Sequence, residues 1–174
     1  MYIPSQIMDF RLYNADERLI GTGEEVKMPT ITNIAASLDL PGGKIDIPSM
    51  RTENMEMDVP FMVFDKEAGG TMSLTKTNTL IIRASKQKVN SSSHNFIHGG
   101  IKVTTKGYFK ECELGTLKRS DKMDSNIKQT IAYIKIEVAE TPTSGYETVL
   151  EIDKLNGVYK INGEDMREGI DQFL

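Results

Sequence analysis

The sequence predicts a mainly β fold: a β-sandwich or barrel subunit with a short mid-chain helix, a short C-terminal helix, and edges completed by oligomerisation. Three observations carry this. Apolar residues recur with a period of two in several stretches. Gly, Pro and Asn punctuate the chain at short intervals. Helical spacing is confined to a short segment near Pro60 and to the C-terminus. The 174 residues suit one domain over residues 1–174, and no linker or internal repeat divides them.

In chain order, Met8, Phe10 and Leu12 alternate with Asp9 and Arg11, the pattern of a half-buried strand. Thr22-Gly23 leads into Glu25-Val-Lys-Met28, and Pro29 precedes Ile31–Ile34, a bend or an edge position. Residues 38–52 form a long excursion turned by Pro41-Gly42-Gly43, its short arms pairing as a protruding hairpin. Met55, Met57 and Val59 alternate with Glu56 and Asp58 as a strand, and Pro60–Lys66 is expected to be helical, ended by Gly69-Gly70. Leu80–Val89 and Ile101–Phe109 pair around the polar Asn90–Asn95 stretch, with Ile101, Val103, Thr105 and Phe109 on one face. Residues 115–126 make an exposed loop. Ile127–Ala139 is the longest expected strand, and its sequence shows no edge blunting, which predicts pairing with another copy. Thr141–Gly145 turns the chain, Tyr146–Asp153 returns it, and Asn156-Gly157 turns it again into Val158–Ile161. Met166, Ile170 and Phe173 at helical spacing, with Glu164 and Asp165 in the first turn, close the chain.

Composition narrows the function. Twenty-one basic against 25 acidic residues give a net charge of −4, which excludes a strongly basic nucleic-acid binder. Along the sequence the charge is unsegregated: residues 1–87 carry 9 basic and 12 acidic groups, residues 88–174 carry 12 and 13. The single Cys112 excludes an intrachain disulfide and a Cys-rich zinc site. The longest apolar run, Val59–Phe64, is too short to span a membrane, and the N-terminus lacks the basic start and apolar core of a secretory signal. The expectation is a soluble, intracellular protein.

No catalytic, cofactor-binding or metal-binding residue emerges. His94 and His98 stand four apart in a Ser/Asn/Gly-rich context that predicts two exposed loop histidines rather than zinc ligands. Cys112 at a strand end is a small half-buried filler. Gly21-Thr-Gly23 lacks the third glycine of a dinucleotide fingerprint, and Pro41-Gly-Gly-Lys44 lacks the Ser/Thr of a phosphate loop. Glu53, Glu56 and Asp58 face solvent or a partner. Lys102, Lys106 and Lys110 with Tyr108 form a basic aromatic stripe, read first as the solvated face of a strand. Met55, Met57 and Met62 fill a core or an adaptable contact surface.

Two stretches resemble the major tail tube proteins of contractile-tail bacteriophages, the FII family. One comprises Leu12-Tyr-Asn14, Leu19-Ile-Gly21 and Glu25-Val-Lys-Met-Pro-Thr-Ile31. The other comprises Glu151-Ile-Asp-Lys-Leu-Asn156 and Tyr159-Lys-Ile-Asn-Gly-Glu-Asp165, followed by a short helix. The resemblance implies a structural virion protein, not an enzyme and without a cofactor. Its subunits form hexameric rings that stack into the inner tail tube, inside a contractile sheath. Implied partners are further copies of itself, the sheath protein, the tape-measure protein and baseplate or tail-initiator proteins. DNA passes through a sheet-lined lumen expected to be acidic, with no sequence-specific contact, and no membrane is involved. Assembly would take place in the bacterial cytoplasm. The alternatives are the tube of a contractile bacteriocin or secretion particle, a tube terminator, a small-ligand-binding β-barrel, and a hydrolase using His94, His98 or Cys112. A sheath subunit is usually much larger.

Overall fold

A computed structural model describes residues 1–15, 17–18 and 23–173. Leu19–Gly21 and Thr22, parts of the first resembling stretch and the first glycine-rich segment, lie outside the described residues.

The strands are β1 (Tyr2–Asn14), β2 (Glu17–Arg18), β3 (Asn33–Leu40), β4 (Gly43–Thr52), β5 (Met55–Phe61), β6 (Asn78–Asn90), β7 (Phe96–Glu113), β8 (Ser125–Ala139), β9 (Glu147–Asp153), β10 (Val158–Ile161) and β11 (Glu164–Asp165). Helix α1 spans Lys66–Gly70 and α2 spans Glu168–Asp171. One large antiparallel sheet runs β11-β10-β9-β8-β7-β6-β1-β2, with β5 also pairing β8, while β3 and β4 form a separate two-stranded ribbon. The order leaves β11 and β2 as ends, so the described sheet is an open sandwich-type layer and not a closed barrel.

Period-two burial explains the strands. Met55, Met57, Val59 and Phe61 of β5 are all buried, alternating with half-buried Glu56, Asp58 and Pro60. They meet Ile127 and Ile131 of β8, Leu12 of β1, Leu80 and Ile82 of β6, Val103 of β7, Ile134 of β8 and Ile152 of β9 in one contiguous core. The β7–β8 ladder is bulged twice, once on β8, where Ala132 is the extra residue facing the Lys106–Gly107 step, and once on β7 between Phe109 and Glu111, and bulges bend a sheet at such points. Gly107 stands opposite Ile131, where an added Cβ would lie 2.6 Å from the Thr130 carbonyl oxygen and 2.9 Å from Ile131 Cδ1. A buried polar node ties α1 to this core. The Thr71 carbonyl accepts from the Asn78 side-chain amide and, at 3.5 Å, from Gln129 Nε2.

Several expectations are corrected. Pro60–Lys66 is not a helix, because β5 continues through Phe61; the helix starts after Asp65, whose carboxylate accepts from the Ala68 N–H at 2.8 Å. Residues 25–32 make no strand, only a bridge from Lys27 to Asp58, although Val26 packs on the core. The hairpin arms begin at Asn33 and are long, not short. The longest strand is β7, with 18 residues, not Ile127–Ala139. The edge of β8 is not free: β7 covers one side, and β5 and β9 share the other. Glu164 and Asp165 pair with β10 in place of starting a helix, which shrinks to Glu168–Asp171. Met8 is half exposed, beside a bulge between Ile7 and Asp9.

Replacing Gly107 by Ala is expected to lower stability by about 1–3 kcal/mol through overpacking against Thr130 and Ile131. Gly145, where an added Cβ meets nothing within 4 Å, is the control and should change little. Urea denaturation of both variants measures the difference.

Candidate functional site

The residues with chemical potential stand apart. His94 occupies the β6–β7 turn with φ +57, while His98 lies on β7, a strand and not a loop as expected; both are exposed. Among the described residues no three His, Cys, Asp or Glu side chains group to hold a metal. Cys112 packs half-buried against the core, and burial followed by the neighbouring Glu113 charge pushes its thiol up. That shift disfavours the thiolate a nucleophile needs.

The basic stripe on β7 is answered by neighbouring strands. Lys102 Nζ lies 3.3 Å from Glu137 of β8, Lys110 pairs with Glu56 of β5, and Lys106 sits 5.1 Å over the Tyr133 ring. Lys135 reaches Glu137 at 3.0 Å. Burial raises the Glu137 carboxyl, but hydrogen bonds from Lys135 and Lys102 outweigh it and hold the group below its ordinary value. Burial and the 3.0 Å hydrogen bond to Glu151 push Tyr133 up to about 12. The stripe is therefore part of an interlocked, charge-paired sheet face.

The second resembling stretch is a set of turn formers. Asp153 Oδ1 accepts from the Leu155 and Asn156 N–H groups at 3.0 and 3.1 Å, and Asn156 Nδ2 donates to Oδ2 at 2.6 Å. Gly157 takes φ +67, and Arg167 donates to its carbonyl at 3.0 Å. These contacts anchor the C-terminal segment to β9–β10.

The unusual surface is the β3–β4 ribbon. Leu38 stands opposite Ile45 and Ala36 opposite Ile47, so these residues and Leu40 share one face. The other face carries Ser37, hydrogen-bonded to Asp46, and Asp39, 3.6 Å from Lys44. Leu38, Leu40, Ile45 and Ile47 are 45–53% exposed, though two strands with an apolar face are marginal unless something packs on them. A hollow of about 300 Å³ at the ribbon base is lined by Ile34, Met50, Arg51, Asp153, Tyr159 and Arg167, of which Asp153 is engaged by the Leu155 and Asn156 N–H groups and Arg167 by the Gly157 carbonyl. The interior is filled by Phe61, Leu12, Met55, Met57 and Leu80.

Fold and surface together give a mainly β domain carrying an amphipathic ribbon whose apolar face is left half-exposed by the described residues. The chain belongs to the phage tail tube protein FII family, whose model matches residues 4–172. No curated protein matches it. Three solved structures share the fold. The sheath/tube terminator of the PVC extracellular contractile injection system aligns with TM-score 0.53 and 10% identity, over 76% of this chain and 96% of that one. The PVC sheath-tube complex aligns at 0.50 and 10%, over 73% and 86%. The tube-terminating cap of the anti-feeding prophage aligns at 0.51 and 11%, over 75% and 88%.

Glu137→Gln is expected to cost about 1–2 kcal/mol at pH 7, measured by urea denaturation, because Lys102 and Lys135 lose their charged acceptor. The folded-state pKa is depressed, so this stabilisation is present above the ordinary carboxyl value of 4.5 and is lost as pH falls through the folded value. The gap between wild type and variant should therefore close in acid.

Proposed function

We propose that the chain is the subunit of the inner tail tube of a contractile bacteriophage, acting by assembly and not by catalysis. Six copies form a ring, rings stack, and the sheath surrounds the resulting conduit for the genome. The apolar face of β3–β4 carries this reading. It offers several aliphatic side chains left half-exposed by the described residues, each worth about 1 kcal/mol or more when covered. Family membership supplies the context. The whole chain works as one tube domain, the ribbon reaching into neighbouring copies. Sheath, tape-measure and baseplate proteins are its partners in the virion, after assembly in the host cytoplasm. DNA passes without specific contact.

A second reading, a terminator ring that caps a tube, is favoured by the likeness to two terminating components at 96% and 88% coverage of those chains. A contractile particle that carries no genome would use the same subunit geometry.

Electron microscopy of the concentrated protein, with and without a tail-initiator complex, tests these readings. Stacked tubes are expected. Single rings that never stack support the terminator, and a strictly monomeric protein under all conditions contradicts both. Deleting Pro41–Lys44, the turn of the ribbon, should abolish tubes while changing monomer stability by less than about 1 kcal/mol. Normal tubes from that variant would make the ribbon a passive surface.

A further inference from the structure

The large sheet is electrically polar along its strand order, although the sequence halves are not. Strands β1, β6 and β7 bring together seven Lys/Arg against three Asp/Glu, a net +4. Residues 147–173, which form β9, β10, β11 and α2 at the other end, carry seven Asp/Glu against three Lys/Arg, a net −4.

At the basic end, Arg11 of β1 stands directly opposite Arg83 of β6, and Arg83 opposite Lys102 of β7. Like charges directly opposed on neighbouring strands are destabilising. Lys102 is answered by Glu137, but neither arginine has an ion pair among the described residues. Arg83 only stacks over Tyr13, at 5.0 Å. Asp9, the one carboxylate on β1, turns Oδ1 to the Phe10 N–H at 2.8 Å. Both guanidinium groups belong to exposed residues, and half-exposed Ile7 and Met8 stand four and three residues before Arg11 on β1. At the acidic end, Glu164, Asp165 and Glu168 likewise have no ion pair among the described residues, next to exposed Ile170 and Phe173.

We propose that copies of this chain join head to tail, the acidic Glu164–Glu168 segment of one docking on the Arg11–Arg83 pair of the next. The two patches differ in place and sign, so the contact is heterologous, the type that closes into rings or runs on as filaments. Guanidinium groups side by side present a fork that matches carboxylates, and the flanking apolar residues at both ends supply contact area. The inference deepens the tube reading by naming the contact between neighbours in a ring. A nucleic acid is the competing anion, disfavoured by the small size of the patch and the acidic total.

The test is sedimentation of the full chain at about 0.05 M and about 0.5 M salt, with electron microscopy in parallel. The variants are R11E/R83E, the milder R11Q/R83Q, E164K/D165K/E168K, and the reversal of both patches in one chain. Circular dichroism melts check that each is folded. Wild type should associate more strongly at low salt. Each single-patch reversal should weaken association at least about tenfold, R11Q/R83Q less so, and the double-patch reversal should restore it. Undiminished association of R11E/R83E, or no rescue by the combined reversal, overturns the proposal. So does binding of a short DNA duplex that depends on the arginines while self-association does not. Tubes from R11E/R83E equal to wild type leave the tube reading standing and remove this contact. Salt-sensitive head-to-tail chains without tubes do the reverse. A wild type that never associates removes both.

Discussion

An apolar face that the described residues leave half-exposed is the constraint on which the rest depends. The β3–β4 ribbon sets Leu38, Leu40, Ile45 and Ile47 on one side of two strands and hydrogen-bonded polar groups on the other, yet among the described residues no second layer packs against it. Such a ribbon is marginal alone. Under the proposed function, the missing layer is another copy, and the subunit divides into a self-sufficient body and an arm completed by assembly.

The body has to be rigid for that arrangement to repeat. Strand β8 is paired on both sides, by β7 and by β5 and β9, so the centre of the sheet has no free edge to slip. Its buried face is filled by Ile127, Ile131 and Ile134, and its polar face is cross-linked through Glu137 to two lysines on two strands. The irregular pairing lies at the ends: the bulged, half-exposed start of β1 and the short β11–α2 segment held by Arg167.

Much of this was legible in the sequence because it is local. Alternation at Met55–Val59 and Ile101–Thr105, and turn chemistry at Pro41-Gly42 and Asn156-Gly157, depend on neighbours a few residues away. The failures are tertiary. Pro60 looked like a helix start, but burial of Phe61 extended the strand. The C-terminal spacing of Met166, Ile170 and Phe173 suggested a helix, but pairing of Glu164 and Asp165 with β10 took its first turn. Ile127–Ala139 looked unprotected because the return strand β9 covers only its second half, and β5, which covers the first half, lies far away in sequence. The opposition of Arg11 to Arg83 is a matter of register between strands some seventy residues apart, which composition by halves averages away.

Hydrogen exchange of the ribbon amides, compared between dilute monomer and concentrated assembly, probes the central claim most directly. The account predicts rapid exchange over residues 33–52 in the monomer and strong protection in the assembly, with β6–β8 protected in both. Protection of the ribbon in the monomer, or free exchange of its amides within formed assemblies, would contradict it.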